Sequence, residues 1–281
     1  MRKEHILNSP RFEEYRNKKS KILKRKILII FFLFVALVIA CTFISRIEKI
    51  RIDQVVVSGN KVIDIKDVEA FVQKELQPSY LWLFPKNNSF IYPEKKIRKG
   101  LLEKFKRLTE VKLTVKDNKV LEISLVERAG KYLWCGDVRL ENTIDQKCYF
   151  LNSDGYIFDE APYFSDGIYL KFYGKIENQE KIGAYFMPDI FENIIHFKDL
   201  LEHMDLKVVS FLKQENGDMN MYLPSGAEIR FNTIADSNKL AQNLQATIST
   251  EPFKSLFKNN MNSLLYIDLR FGNKIYYKFN E

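Results

Sequence analysis

The hydrophobic pattern of the chain starts with a long apolar run that follows a polar N-terminal segment. From Ile27 to Ile44, the run ILIIFFLFVALVIACTFI has 18 residues and no charged side chain. A helix of that length just crosses a bilayer core of about 30 Å. A helix in a soluble core would carry a polar stripe, and this run shows none. The pattern therefore predicts a transmembrane helix over residues 27–45.

The pattern of residues 51–128 predicts the order strand, helix, helix, strand, strand. The β-branched segment IDQVVVSG predicts the first strand, and Asp64 is suited to cap a helix that Pro78 ends. A second helical period precedes two alternating segments joined by Asp117 and Asn118, which predict a hairpin with one buried face. We expect one small α+β domain here.

The pattern of residues 129–281 predicts a mixed β-rich domain with two helices. An amphipathic period covers residues 187–204, and a second helix is expected to begin at Asp236, between short alternating segments. Along the segment 274–279, residues of a more apolar set alternate with residues of a more polar set, and this alternation predicts a terminal strand. The fold class is therefore α+β, with a transmembrane helix before two folded domains. The more apolar set of the terminal strand is Ile275, Tyr277 and Phe279.

The charge of +8 is concentrated in the first 26 residues rather than spread over the folded part. Residues 1–26 hold ten Lys or Arg against three acidic residues, so residues 27–281 carry only +1. A nucleic-acid-binding protein would place its cations on the folded surface, so no nucleic-acid partner is expected. The positive-inside rule instead predicts a basic cytoplasmic tail over residues 1–26 and export of residues 46–281, as in a single-pass type II membrane protein.

Two other interpretations of the apolar run stay open, a cleaved signal peptide and a lipoprotein. No convincing small-residue cleavage site follows the run. The segment Val38-Ile39-Ala40-Cys41 resembles a lipobox, in which Cys41 would be lipidated. Because the apolar run continues past Cys41 to Ile44, a retained signal anchor is favoured.

Cys135 and Cys148 flank a short polar stretch, GDVRLENTIDQK, and border two predicted strands. In an oxidising compartment such a pair predicts a disulfide. Two separate reduced thiols are the alternative. Zinc binding is disfavoured, because two cysteines without a nearby histidine do not complete four ligands.

The sequence carries no motif that predicts an enzyme. It lacks a G-x-S-x-G elbow, a P-loop and a G-x-G-x-x-G loop. His196 and His203 are seven residues apart on a predicted helix, with no cysteine or spaced carboxylate beside them, and we interpret them as surface or core-edge residues. We therefore predict no catalytic, cofactor-binding or metal-binding residue, and a binding function.

Four segments resemble parts of a known family. IDQVVVSGNKVIDIKDV resembles the opening of a POTRA domain, and LEISLVERAGKYLW resembles the last strand of that domain. CYFLNSDGYIF and the stretch Tyr266–Phe271, YIDLRF, resemble signatures of the FtsQ/DivIB family of bacterial cell division proteins. The resemblance covers about residues 22–279. The Cys135/Cys148 pair and the aromatic loop around Trp82 depart from the family pattern.

The resemblance implies a non-enzymatic scaffold of the divisome that links early and late septal proteins. Residues 51–128 would be the POTRA domain and residues 129–281 the FtsQ/DivIB-type β domain, outside the cytoplasm at the division septum. The implied partners are the bitopic proteins FtsB or DivIC and FtsL. The implied contact residues are Asp268, Arg270, Phe271, Ile275, Tyr277 and Phe279.

Three questions stay open at this stage. The terminal strand is either an open sheet edge, suited to strand addition by a partner, or an ordinary inner strand. The aromatic cluster in residues 80–92 is either a second partner surface or core and membrane-proximal packing. A POTRA-containing secretion or envelope-assembly component, and a membrane-tethered cell-wall enzyme, are the alternative functions. The aromatic cluster consists of Tyr80, Trp82, Phe84, Phe90 and Tyr92.

Overall fold

The protein is α+β, with a long apolar helix at its N-terminus and a β-rich C-terminal region. The chain forms two compact units. The first comprises the residues up to Glu103 together with Glu110–Val126, and the second comprises Lys104–Thr109 and the residues from Glu127 onward. The first nine residues of the predicted cytoplasmic tail lie outside the described part. The computed structural model describes residues 10–140, 146–165, 167–178 and 180–280.

Helix α1 runs from Pro10 to Ser45 and is 36 residues long. It is longer than the predicted span, because the basic segment before Ile27 consists mostly of good helix formers and continues the same helix. The part from Glu14 to Ser45 is long and apolar enough to cross a membrane, and its apolar side chains are exposed. These features are consistent with a single-pass membrane protein.

After α1, the first unit contains two further α-helices and a three-stranded sheet. The sheet order is β1-β5-β4, with β1 parallel to β5. The expected loop between α2 and α3 contains a two-stranded ribbon, β2–β3, because Ser79 and Tyr80 pair with Pro85 and Phe84. The elements are β1 (Gln54–Ser58), α2 (Ile65–Leu76), β2 (Ser79–Tyr80), β3 (Phe84–Pro85), α3 (Glu94–Lys104), β4 (Leu108–Lys116) and β5 (Val120–Glu127).

Local signals in the sequence explain the positions of these elements. Asp64 caps α2 as predicted, since its Oδ1 accepts a hydrogen bond from the backbone N–H of Lys66 at 2.9 Å. Val68 and Val72 are buried on one face of α2, and Ile97 is buried on α3 at the predicted helical spacing. Apolar burial of this kind fixes the two helices.

The second unit is built on one nine-stranded sheet. Its order is β14-β13-β12-β11-β10-β9-β6-β7-β8. The strands are β6 (Tyr132–Trp134), β7 (Cys148–Leu151), β8 (Ile157–Ala161), β9 (Lys171–Tyr173), β10 (Ser210–Lys213), β11 (Asp218–Tyr222), β12 (Glu228–Asn232), β13 (Leu264–Phe271) and β14 (Lys274–Phe279). The helices are α4 (Phe191–Glu202), α5 (Ser237–Ile248) and α6 (Phe253–Asn260).

Among the described residues of this unit, three α-helices are found where the sequence predicted two. Helix α5 begins where expected, and Asp236 caps it by accepting hydrogen bonds from the N–H groups of Asn238 and Lys239. Helix α6 was missed because eight residues are too few to show a helical period. It is held by Phe253, which is 1% exposed and belongs to the main core cluster.

A disulfide joins Cys135, which follows β6, to Cys148, the first residue of β7. Replacing Cys148 by serine is expected to lower the free energy of unfolding by about 3 kcal/mol, because the bond closes a short loop in the unfolded chain. Urea unfolding of the full chain in detergent measures the effect. The wild type treated with a reductant should match the variant, and equal stability of the oxidised and reduced wild type would contradict the prediction.

Candidate functional site

The terminal strand β14 lies at one end of the nine-stranded sheet. It pairs antiparallel with β13 on one side, after a turn at Gly272 (φ +67°) and Asn273. Within residues 10–140, 146–165, 167–178 and 180–280, no strand pairs with its other side. The structure therefore answers the question that the sequence left open, and β14 is an edge strand.

The backbone groups of alternate residues in β14 point to the open side. The backbone N–H of Asn280 donates to the carbonyl of Ser263 at 2.7 Å, while Phe279 lies opposite Leu264. Phe279 is therefore in a non-hydrogen-bonded pair, and its own N–H and C=O point away from β13. The two irregularities in the register each place an extra residue in β13 and none in β14, so the alternation along β14 is unbroken. The backbone N–H and C=O groups of Ile275 and Tyr277 therefore also point away from β13.

The side chains of these three residues pack inward. Ile275, Tyr277 and Phe279 are half-buried against the main core cluster. The ring of Tyr277 lies 4.4 Å from the ring of Phe253 on α6, and the ring of Phe279 lies 5.7 Å from it. The residues predicted to contact a partner thus offer their main chain to the edge, while their side chains stabilise the strand.

The exposed side chains of β14 belong to the other set of alternating residues. Tyr276 is 50% exposed, and Lys274 and Lys278 are exposed as well. The ring of Tyr276 meets the ring of Phe271 edge-on at 5.1 Å, which places an aromatic pair beside the turn. Tyr276 and Lys278 were not among the residues predicted to contact a partner, although the strand alternation already placed them in the other set.

Two shallow cavities lie beside β14. One, of about 340 Å³, is lined by α5, the start of α6 and Tyr277. The other, of about 680 Å³, is lined by Leu256 of α6 and by residues 277–280. A segment that joined the edge would therefore find depressions for its side chains next to the strand.

Asp268 and Arg270 form an ion-pair cluster one strand in from the edge. The guanidinium group of Arg270 donates two hydrogen bonds to Asp268, to Oδ1 at 2.8 Å and to Oδ2 at 2.6 Å. Its third contact is a hydrogen bond of 2.9 Å to Asp218 at the start of β11. Asn232 of β12 also donates to Asp218, at 3.1 Å. The cluster therefore ties together β11, β12 and β13, and β13 carries the edge strand.

The cluster shifts the pKa of each of its charged groups. Hydrogen bonds from Arg270 hold the pKa of Asp218 below its ordinary value. Burial of Asp268 opposes its ionisation, but hydrogen bonds from the side chain and backbone of Arg270 outweigh burial and lower the pKa. The pKa of Arg270 is raised by its hydrogen bonds to the two carboxylates. Asp268 is only 5% exposed, so it stabilises the fold and presents little surface to a partner.

The opposite edge of the sheet, at β8, is partly covered by the chain itself. The backbone N–H of Ile157 donates to the carbonyl of Ala184 at 2.9 Å, and Gly183 N–H donates to the carbonyl of Ile157 at 2.7 Å. A covered edge offers fewer groups for strand addition. β14 is therefore the better candidate for binding an extended segment.

The histidines considered at the sequence level lie apart from the edge strand, on or next to α4. His196 and His203 are both exposed, and Nε2 of His196 lies 3.1 Å from Oδ1 of Asn238. Among the residues that the structure describes, no group of three or more His, Cys, Asp or Glu side chains is placed to hold a metal ion.

Comparison with known proteins gives no family assignment. Neither the protein-family models nor the curated proteins include a match to the chain.

Proposed function

We propose that the protein is a non-enzymatic divisome scaffold, anchored in the cell membrane by α1, that binds bitopic division proteins through the edge of β14. The partners would be FtsB- or DivIC-like and FtsL-like proteins. The observation that carries the proposal is the open edge of the sheet at β14. The proposed orientation places the N-terminus in the cytoplasm and both folded units outside it, at the division septum.

The domain assignments of the proposal are supported by the order of elements. After α1, the first unit has the strand β1, the helices α2 and α3, and the strands β4 and β5, with the ribbon β2–β3 between the two helices. This order suits a POTRA domain over residues 51–128. The second unit suits the FtsQ/DivIB-type domain over residues 129–281, because it ends in the segment YIDLRF and an edge hairpin.

The proposed binding mode is β-strand addition. Ile275, Tyr277 and Phe279 would supply main-chain hydrogen bonds to an extended segment of the partner. Tyr276 and Lys278 would set specificity, because their side chains are exposed on the same strand. Anchoring in a shared membrane would raise the effective concentration of the two proteins and favour the complex.

Asp268 and Arg270 would affect partner binding by holding β13 in place rather than by contacting the partner. They hold β13 to β11 across β12, and β13 is the strand on which β14 is assembled. Phe271, at 55% exposure, would contact the partner directly beside Tyr276.

Photo-crosslinking in cells tests the proposal. Probes at Tyr276 and Lys278 are expected to give adducts with a small bitopic coiled-coil protein. Glu160 is the matched control, because it is an exposed residue on the opposite edge strand and should give no such adduct. Normal membrane levels of the protein with no adduct from Tyr276 or Lys278 would remove β14 as the binding surface.

A further inference from the structure

The connection between α2 and α3 exposes large apolar side chains that the proposed function does not use. Leu81 is 85% exposed, Trp82 is 90% exposed and Phe90 is 73% exposed. We call residues 80–83 and 90–91 the apolar loop. Its other members, Tyr80, Leu83 and Ile91, are each 39–40% exposed. Large apolar groups clustered at a surface mark an interaction site.

The apolar loop is bonded to the C-terminal end of α1. The side chain of Asn88 donates a hydrogen bond to the carbonyl of Ser45, the last residue of α1, at 3.0 Å. The same side chain accepts a hydrogen bond from the N–H of Phe90 at 3.0 Å. Arg46 donates to the carbonyl of Trp82 at 3.3 Å. These hydrogen bonds hold both parts of the apolar loop next to the C-terminal end of α1.

The segment that follows α1 holds the loop in this position. The N–H of Ser89 donates to the carbonyl of Ile50 at 2.9 Å, and the N–H of Ile52 donates to the carbonyl of Asn87 at 2.7 Å. Asn88 itself is 3% exposed. A buried amide that is hydrogen-bonded on both sides is costly to displace, so the loop is a fixed neighbour of the helix end.

Neither packing nor backbone conformation explains the residues at the tip of the loop. Leu81 (φ +47°) and Trp82 (φ +63°) have left-handed backbones, which suit Gly, Asn or Asp better than bulky residues. Their side chains contact little of the protein. A bulky apolar residue in a strained and exposed position points to a role outside the fold.

The charges around the loop suit the anionic phosphates of a bilayer. Arg46, Lys49 and Arg51 follow the end of α1, with Glu48 as the one acidic residue in residues 46–51. Nζ of Lys86 lies 5.2 Å from the ring centroid of Tyr80. Apolar and aromatic side chains bordered by cations are typical of segments that lie in the membrane interface.

We propose that the apolar loop inserts into the headgroup region of the leaflet at the C-terminal end of α1. The polar region of a bilayer is about 5–7 Å thick on each side. With the apolar run of α1 in the bilayer core, Arg46 and the bonded carbonyl of Trp82 lie in that region. The inference rests on α1 crossing the membrane and is independent of the proposed role in division.

Fluorescence quenching by brominated lipids tests the insertion directly. The full chain is reconstituted in phosphatidylcholine and phosphatidylglycerol vesicles, with bromine either near the carbonyl end or near the methyl end of the acyl chains. The chain has two tryptophans, and Trp134 is buried at 1% exposure, so the difference between wild type and Trp82→Phe isolates Trp82. Orientation in the vesicle is immaterial, because both leaflets carry the quencher.

We expect about twofold quenching of Trp82 by lipids brominated near the carbonyl end and weak quenching by those brominated near the methyl end, since tryptophan prefers the interface. Leu81→Asn should reduce the quenching while the protein stays folded, because asparagine accepts the left-handed backbone. Trp82 emission that is quenched by aqueous acrylamide and by neither lipid would overturn the proposal and leave the loop as a protein-binding surface.

Discussion

Proline in place of Ile275 is expected to weaken binding of the proposed bitopic partner by about 10-fold, the loss of one main-chain hydrogen bond to β14. The N–H of Ile275 points to the open side of the strand, so its removal leaves the hydrogen bonds between β14 and β13 in place. The proline ring also obstructs an incoming strand at that position.

Ile275→Ala is the matched control for this variant. It removes the same packing against the core but keeps the backbone N–H, so it separates the side chain from the main chain. Co-purification of the partner from membranes and a binding isotherm measure the difference, and thermal unfolding verifies that both variants fold. Equal partner affinity of the two variants would exclude main-chain strand addition at this residue.

Alanine in place of Arg270 is expected to cost about 3–5 kcal/mol of unfolding free energy at neutral pH, because it leaves the buried carboxylate of Asp268 without its cation. Asp218 loses a hydrogen bond from the same guanidinium group. Denaturant unfolding of the full chain in detergent measures the loss. Partner binding should also weaken, because β13 no longer holds β14 in place.

Arg230→Ala provides a comparison of the same chemistry on the neighbouring strand. Arg230 lies two residues after Glu228, as Arg270 lies two residues after Asp268, but the side chain of Glu228 is 25% exposed. Its loss is expected to cost about 1 kcal/mol or less, as for other solvated pairs. Equal losses from the two variants would show that burial of Asp268 does not decide the effect.

The stabilisation by the Arg270 cluster is expected to disappear in acid. The pKa values of Asp218 and Asp268 are lowered in the folded protein, so their contribution is complete above the unfolded pKa of about 4 and declines as the pH falls below it. The difference in unfolding free energy between wild type and Arg270→Ala should therefore shrink between pH 7 and pH 3. A difference that stays constant over this range would contradict the assignment.

Local patterns in the sequence predicted much of the fold. The apolar run predicted the N-terminal helix, and the carboxylates of Asp64 and Asp236 marked where α2 and α5 begin. Such signals depend on neighbours a few residues away. They are visible in the sequence because a cap or an amphipathic period needs no knowledge of the tertiary structure.

The candidate site depends on distant contacts, and these were not predicted. Asp268 was expected to contact a partner, whereas in the structure it is buried and bonded to Arg270, which also bonds Asp218, fifty residues earlier. Tyr277 and Phe279 of β14 pack against Phe253 on α6, a helix too short to show a period. The alternation along the strand separated Tyr276 from Tyr277, but it did not indicate that Tyr277 packs against Phe253.

The alternation along the six residues of β14 separates residues that are needed for folding from residues that are exposed at the surface. Substitutions at Ile275, Tyr277 or Phe279 are constrained by the protein's own folding, whereas Tyr276 and Lys278 contribute little burial. In the proposed complex, the exposed set would therefore be free to change together with the partner while the strand itself stays folded. The proposed interface would co-evolve with its partner one residue at a time, and each sequence along the way would still fold.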